Sequence, residues 1–438
     1  MRPVAAGAAG LRVGLEMAFG RAAVRALCLA LAMACLPVRQ ARAWPTVFPT
    51  GTTVHDRQRA ADGYVLFASL DNGEAGEAGV LHMIDTNGRV VHRWNVPFTP
   101  LGGKLLPNGN IVVIGRNNKG AIKRPGVGKY HIGGASGWLV ELDWNGGLVF
   151  KHIDLAMHHD FAKLPNGNYV YLAWEPLPEA LRTSIRGGIK GTEFEGGAMF
   201  NDKLVEVDPQ GKTVWEWHAN DQMDSDIDII GPLYRREEWY HGNSIYSLSD
   251  GCIAITGRFT DSLLVIDRAT GGIALRFGSP TYLDKVSNRI EYRTGANVMG
   301  GPHDVREIPV GYPGAGNLTC YDNGTYTGAS RVVEIDRTGT LVWQWADGND
   351  GRKHYSFHRG GAQRLHNGNT FVCDGANGRC LQVTREGRVV WEYVNPHILT
   401  PKYQAAIFKA EFYSPHYCPQ LKDLAATKTV APQSSRQE

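Results

Sequence analysis

The chain has 438 residues, with 46 Lys+Arg against 43 Asp+Glu, 43% hydrophobic and 20% charged residues, 53 Gly and 22 Pro. A formal charge of +3 at this size gives no broad basic field, which argues against nucleic acid as a partner. Glycine stands well above its usual ~7%. That excess disfavours a helical protein and points to many tight turns, while the hydrophobic fraction is too high for a disordered chain.

Residues 1–43 read as a signal peptide. Arg21 and Arg25 precede an apolar run, Ala26 to Leu36, followed by Pro37 and a small-x-small site, Ala41-Arg42-Ala43. Cleavage is expected before Trp44, which places the mature chain in the periplasm or outside the cell. Met17 would open a leader of more usual length. The run is too short for the ~20 apolar residues that cross a bilayer, and no later stretch is long and apolar enough, so no transmembrane helix is expected. Six Arg and one Glu leave with the leader, so 40 basic and 42 acidic residues remain, a net charge of −2. Residues 44–59 are expected to form an N-terminal extension.

From residue 60 to 396 two phrases alternate. The first is an apolar pair, an Asp, a Gly-containing turn and a β-rich stretch that often ends in Trp. It occurs at 84–94 (IDTNGRVVHRW), 142–152, 207–217, 266–277, 335–345 and, with Thr384 in place of Asp, 383–393. The second is an apolar residue, an Asn/Asp-Gly turn and another strand, as in KLPNGNYVYLAW (163–174). It recurs at 105–116, 247–258 and 364–375, stretched at 307–324 and weak at Ala61-Asp62-Gly63-Tyr64. Each phrase is a hairpin signature. Six copies of both predict an all-β fold: a single six-bladed β-propeller over 60–396, with four-stranded antiparallel blades. Residues 397–438 are expected to be a C-terminal extension and polar tail.

The mature chain keeps five cysteines. Cys373 and Cys380 flank a turn, 374–379, and can face each other across a hairpin; an exported protein permits a disulfide there. The odd count leaves at least one thiol free. No Cys/His spacing suggests zinc, and no phosphate-binding glycine loop is present, so no metal or cofactor is expected.

Chemistry is sought where side chains depart from scaffold needs. Seven residues beyond the turn glycine of the second phrase lie Arg116, Trp174, Arg258 and Asn323 in matching register, with Gly375 in the sixth copy. Histidines stand upstream of the same phrases: His158-His159-Asp160, His241, His303-Asp304 and His358. On a ring, equivalent positions converge on the axis, so imidazoles and guanidinium groups gather there and suit an anion such as sulfate or phosphate. Asp160 and Asp304 leave a metal site open as a competing idea, although neighbouring arginines would repel a cation. Trp174, Trp239 and Tyr240 can stack on an aryl ring or simply pack. Insertions at 175–202, 218–240 and 279–302 are candidates for substrate choice.

The motifs HHDFAKLPNGN (158–168), HGNSIYSLSDGCIAITGR (241–258), GPHDVREIP (301–309) with YDNG (321–324), and HRGGAQRLHNGNTFVCDG (358–375) resemble the bacterial arylsulfotransferases that use no nucleotide donor. The resemblance spans about residues 60–396. It implies a six-bladed propeller and transfer of a sulfuryl group from an aryl sulfate donor to a phenolic acceptor through a sulfohistidine. On the matching motifs, His303 stands as the nucleophile, His241 and Arg258 as the sulfate-binding and acid/base pair, and His159 as a further sulfate contact beside His158. His358, Arg116, Trp174 and Asn323 join as substrate-binding candidates from register alone. Asp304 or a backbone carbonyl is expected to hold the nucleophile's tautomer. Larger members carry a β domain ahead of the propeller, which is not expected here, so the oligomeric state is not read from the resemblance. Two other readings stay open: a non-catalytic platform for an anionic ligand or protein partner, and a quinone-cofactor dehydrogenase-like propeller, which usually needs eight blades.

Overall fold

In the computed structural model the described residues are 49–69, 79–116, 132–346, 354–397 and 406–430, all within the unit Pro45–Glu438. The expected signal peptide lies outside them.

The recurring Asp has a local cause. In the turn after Asp143, one carboxylate oxygen accepts the backbone N–H groups of Asn145 and Gly147, both at 2.8 Å. Asp85, Asp208, Asp267 and Asp336 do the same in their own turns. Thr384 substitutes a hydroxyl that accepts from Arg388 N–H. Such a side chain satisfies turn donors that would otherwise need water. Gly146 closes its turn at φ 88°, a backbone region costly for residues with a Cβ.

These hairpins build six four-stranded antiparallel blades in a ring. Blade 2 runs Thr99–Leu105, Ile111–Arg116, Gly137–Leu142 and Leu148–Ile153 from the axis outward. Blade 3 is Met157–Lys163, Tyr169–Pro176, Phe200–Val207 and Thr213–His218. Blade 4 is Gly242–Ser247, Ile253–Gly257, Ser262–Ile266 and Ile273–Phe277. Blade 5 is His303–Glu307, Leu318–Asp322, Arg331–Ile335 and Leu341–Trp345. Blade 6 is Gly361–Arg364, Thr370–Asp374, Arg379–Val383 and Val389–Val394.

Blade 1 closes the ring from both ends of the chain. Its inner strand, Ile407–Tyr413, comes from the C-terminal side and pairs with Tyr64–Ser69, followed by Gly79–Asp85 and Val90–Val96. Gly51–His55 in turn adds a fifth, outer strand to blade 6. Two stretches expected outside the propeller, 44–59 and 397–438, thus each contribute a strand to it. The tail is also more than polar: Leu421 of the helix Pro419–Val430 is buried in the core between blades 1 and 2.

Each junction between blades holds its own apolar cluster, six in all around the ring. Blade tryptophans staple the junctions. The indole N–H of Trp94 donates to Asp143 O, that of Trp217 to Gly271 O, that of Trp345 to Gly387 O and that of Trp391 to Thr86 O, each reaching the Asp or Thr turn of the next blade. Cys373 and Cys380 stand directly opposite each other on adjacent strands of blade 6, both buried, as free thiols rather than the permitted disulfide. Among the described residues no helix is long and apolar enough to cross a membrane.

Candidate active site

The first strand of five blades carries a bulge near its start, where two or more residues oppose fewer on the partner strand. The breaks fall between Pro100 and Gly102, His158 and Phe161, Gly242 and Ser244, His303 and Arg306, and Ile407 and Ala410. Non-glycine residues with positive φ sit at or beside three of these breaks and at the head of blade 6: His159 (54°), His241 (55°), Asp304 (53°) and Arg359 (65°). Bulges re-aim side chains and left-handed backbone is costly for such residues, so both mark sites where surrounding structure imposes a conformation.

The bulges split neighbouring side chains into two layers. The upper layer holds imidazoles from blades 3 to 6 with Arg258 and Arg359. The rings of His159 and His241 meet edge to face at 4.9 Å. His241, Arg258 and Arg359 lie close enough to His159, His303 and His358 to lower the pKa of these three rings further.

His303 is held most tightly. Its Nδ1 donates toward Gly301 O at 2.9 Å and Asn323 Oδ1 at 2.7 Å. The orientation of Asn323 is fixed independently, because its Nδ2 donates to Ser356 O and Arg359 O, both at 2.7 Å. Two acceptors therefore keep the proton on Nδ1 and leave a lone pair on Nε2, which faces Arg359 N–H at 3.3 Å. Burial, then the charge of Arg258, pushes the His303 pKa down to about 3, so the ring is neutral at ordinary pH. Of the two expected tautomer holders the backbone carbonyl is present, joined by Asn323. Asp304 is not, because it faces the other layer.

His241 is backed by a carboxylate. Its Nδ1 lies 2.5 Å from Glu238 Oε2, while Glu238 Oε1 accepts the Trp174 indole N–H at 2.8 Å. The imidazole also stacks on Phe259 at 4.5 Å. Trp174, expected at an aryl-binding wall, is 2% exposed and stacked on His158, so it acts here by holding Glu238. Trp239 and Tyr240 are likewise buried, with Trp239 donating to Asp228 O and Tyr240 to Ile255 O.

His158 and His159 share a hydrogen bond between their Nδ1 atoms at 2.9 Å, and His158 Nε2 lies 2.8 Å from Asp202. Burial first, then the neighbouring imidazoles, pushes His159 well below the usual histidine range. Burial and Arg359 push His358 down to about 2; its ring stacks on Phe357 and its Nδ1 has no partner among the described residues. Arg258 donates Nη2 to Phe357 O at 3.3 Å and leaves Nε without a partner among the described residues. Arg116 is tied to Ala135 O at 3.3 Å, in the segment whose Gly134 packs against the His159 ring.

The lower layer is ionic. Lys409 lies 2.8 Å from both Asp160 and Asp304; Lys104 lies 3.0 Å from Asp160, and Arg306 pairs with Asp304 at 2.9 Å and Glu411 at 3.1 Å. Burial alone would raise the Asp304 pKa, but Arg306 and Lys409 outweigh it and hold it at about 2. Asp160 and Asp304, raised as partners for a metal, are thus occupied by cations. Among the described residues no group of three or more His, Cys, Asp or Glu is placed to hold a metal ion.

Chemically, the arrangement is suited to placing a tetrahedral anion before an unprotonated imidazole nitrogen, with guanidinium and imidazole groups around its oxygens. Glu238 and the cations of the lower layer were not legible as site residues in the sequence. Glu238 has no repeat counterpart, and Lys409 and Glu411 sit on a strand that reaches Asp160, Asp304 and Arg306 only when the ring closes.

The arylsulfotransferase (ASST) family profile matches residues 52–387. No curated protein matches the chain. Among solved structures, a protein of unknown function from Bacteroides caccae is 10% identical, with a TM-score of 0.46, covering 80% of this chain and 98% of its own. Virginiamycin B lyase from Staphylococcus aureus is 9% identical, with a TM-score of 0.38 over 80% of this chain and 89% of its own. A streptogramin B lyase is 12% identical, with a TM-score of 0.39 over 80% of this chain and 98% of its own.

Proposed function

The chain belongs to the arylsulfotransferase family, and we propose that it moves a sulfuryl group from a phenolic sulfate ester to a phenolic acceptor in two half-reactions through a sulfohistidine on His303. The observation that carries this reading is the locked tautomer: a neutral imidazole whose Nδ1 is held by Gly301 and Asn323 and whose Nε2 carries the lone pair.

In the first half-reaction Nε2 of His303 attacks sulfur. The bond from sulfur to the aryl oxygen breaks and its electron pair leaves with the oxygen. The sulfated ring becomes cationic, and the carbonyl oxygens of Gly301 and Asn323 stabilise that charge through Nδ1–H. Arg258 neutralises the sulfuryl oxygens, and His159 stands beside them in a site shielded from water. Glu238 keeps a proton on Nδ1 of His241, so the ring's far nitrogen can give a proton to the departing phenolate and later take one from the acceptor phenol. The acceptor oxygen then attacks sulfur, and the electron pair returns to Nε2 of His303. We place the mature protein in the periplasm or outside the cell, on the strength of the leader-like residues 1–43.

Mixing the mature protein with 4-nitrophenyl sulfate tests the reading. A burst of nitrophenol equal to the enzyme, a sulfate-mass adduct on His303, and continued release only with added phenol are expected. Full turnover in a His303→Ala variant would sink it.

A further inference from the structure

A cavity of about 550 Å³ opens between blades 4 and 5 and is lined by none of the site histidines. Its volume falls in the range of small-molecule pockets, ~300–1,000 Å³. The insertion between blades 4 and 5 builds much of it. Val298, Met299 and Pro280 meet Pro232, Tyr292 and Tyr326 around an apolar interior.

Two basic residues border this interior, and they differ. Arg331 is spent on the protein itself: Nε donates to Asp322 at 2.8 Å, Nη1 to Gln344 at 2.6 Å and Nη2 to Val298 O at 2.6 Å. Arg293 lies over the Tyr282 ring at 5.1 Å and has no carboxylate partner among the described residues. It borders a neighbouring polar cavity as well, so its guanidinium stands at a mouth rather than in a core.

Tyr326 presents its ring to the cavity, because its hydroxyl is turned away onto the buried Asp261 at 2.5 Å. Asp261 also accepts Tyr234 OH and Gly301 N–H, each at 2.7 Å. The ring is therefore held in advance, which lowers the entropy lost when a ligand packs on it. The same carboxylate anchors Gly301, whose carbonyl holds His303.

We propose that this cavity is a second small-molecule site, separate from the histidine pocket, which takes an aromatic ligand bearing an anionic group. The ring packs on Tyr326, Met299 and Val298, and the anion pairs with Arg293 through its planar fork of donors. The site needs no sulfuryl transfer, so it stands or falls apart from the proposed reaction.

Calorimetric titration with 2-naphthoate tests it, with neutral 2-naphthamide as the control. A carboxylate could also enter the histidine pocket, so Arg258→Gln is measured beside Arg293→Gln. Binding to the unaltered protein is expected to survive Arg258→Gln within twofold. It should weaken about tenfold in Arg293→Gln and about tenfold with the amide, the worth of one charge-assisted contact. Arg293 is at the cavity mouth, so its replacement leaves the core intact. No binding at millimolar ligand, loss of binding in Arg258→Gln, or indifference to Arg293→Gln would each overturn the proposal.

Discussion

The two layers of the channel are built from adjacent residues yet solve burial in opposite ways. In the lower layer Lys104, Lys409 and Arg306 meet Asp160, Asp304 and Glu411, and every charge has a counter-charge within about 3 Å. In the upper layer Arg258 stands among imidazoles of which burial keeps His159, His303 and His358 neutral, and the carboxylate of Glu238 is bound to a fourth, His241. Paired buried charges stabilise a fold conditionally, because removing one partner strands the other. An arrangement short of negative charge is instead completed by a ligand. The lower layer should govern stability, the upper layer chemistry, and substitutions can separate the two.

The sharpest break is His303→Ala. Loss of the attacking nitrogen is expected to lower sulfuryl transfer about 10⁴-fold or more, measured as acceptor-dependent nitrophenol release. The melting temperature should stay near that of the unaltered protein, because a neutral buried ring carries no stranded charge. Asp304→Ala should do the reverse. It leaves Lys409 and Arg306 short of a partner, at a cost of about 3–5 kcal/mol in denaturant unfolding. Activity per folded molecule should be largely kept. If Asp304→Ala abolished turnover at full stability, the division between layers would fail.

Arg258→Gln comes next. Removing one preorganised charge at developing sulfuryl oxygens is expected to lower kcat/KM about 10²–10³-fold, with little change in unfolding. Glu238→Gln should cost about 10–10²-fold, chiefly in kcat. It should also reshape the pH profile, since His241 loses the carboxylate that keeps a proton on Nδ1. Trp174→Phe keeps the stack on His158 but drops the indole donor to Glu238, so a smaller effect of the same kind is expected.

The repeats made the ring legible because each blade needs the same turns, and turn chemistry is local. Asp143 and Gly146 announce their hairpin whatever the rest of the chain does. The register of His159, His241, His303 and His358 was legible for the same reason: a repeated fold places repeated positions at one height. Closure was not legible. The phrase at Ala61-Asp62-Gly63-Tyr64 is weak because its first strand, Ile407–Tyr413, arrives from the far end of the chain, a pairing no local pattern encodes. The fate of Asp160 and Asp304 was hidden too. Each follows a site histidine directly, and only the bulge sends the imidazole to one layer and the carboxylate to the other. Glu238 and Asp261 act by reaching across loops, which spacing does not disclose.

The smallest expected effect couples the upper layer to pH. Burial holds His159, His303 and His358 below the ordinary histidine value of 6.5, with His303 at about 3 and His358 at about 2. Between those values and 6.5 the unfolded chain binds more protons than the folded one, so stability rises with pH across that window and is lost as pH falls through it. Sulfate should oppose the loss. A bound dianion favours protonated imidazoles and so opposes the burial that lowers His159, His303 and His358. Sulfate at about ten times its Kd is worth roughly 1.4 kcal/mol, a gain of about 1–2 °C in melting temperature for a chain of this size. The gain should be larger at pH 5.5 than at pH 8. It should collapse in Arg258→Gln and persist in Asp304→Asn. An equal gain at both pH values would mean that sulfate binds away from the imidazoles.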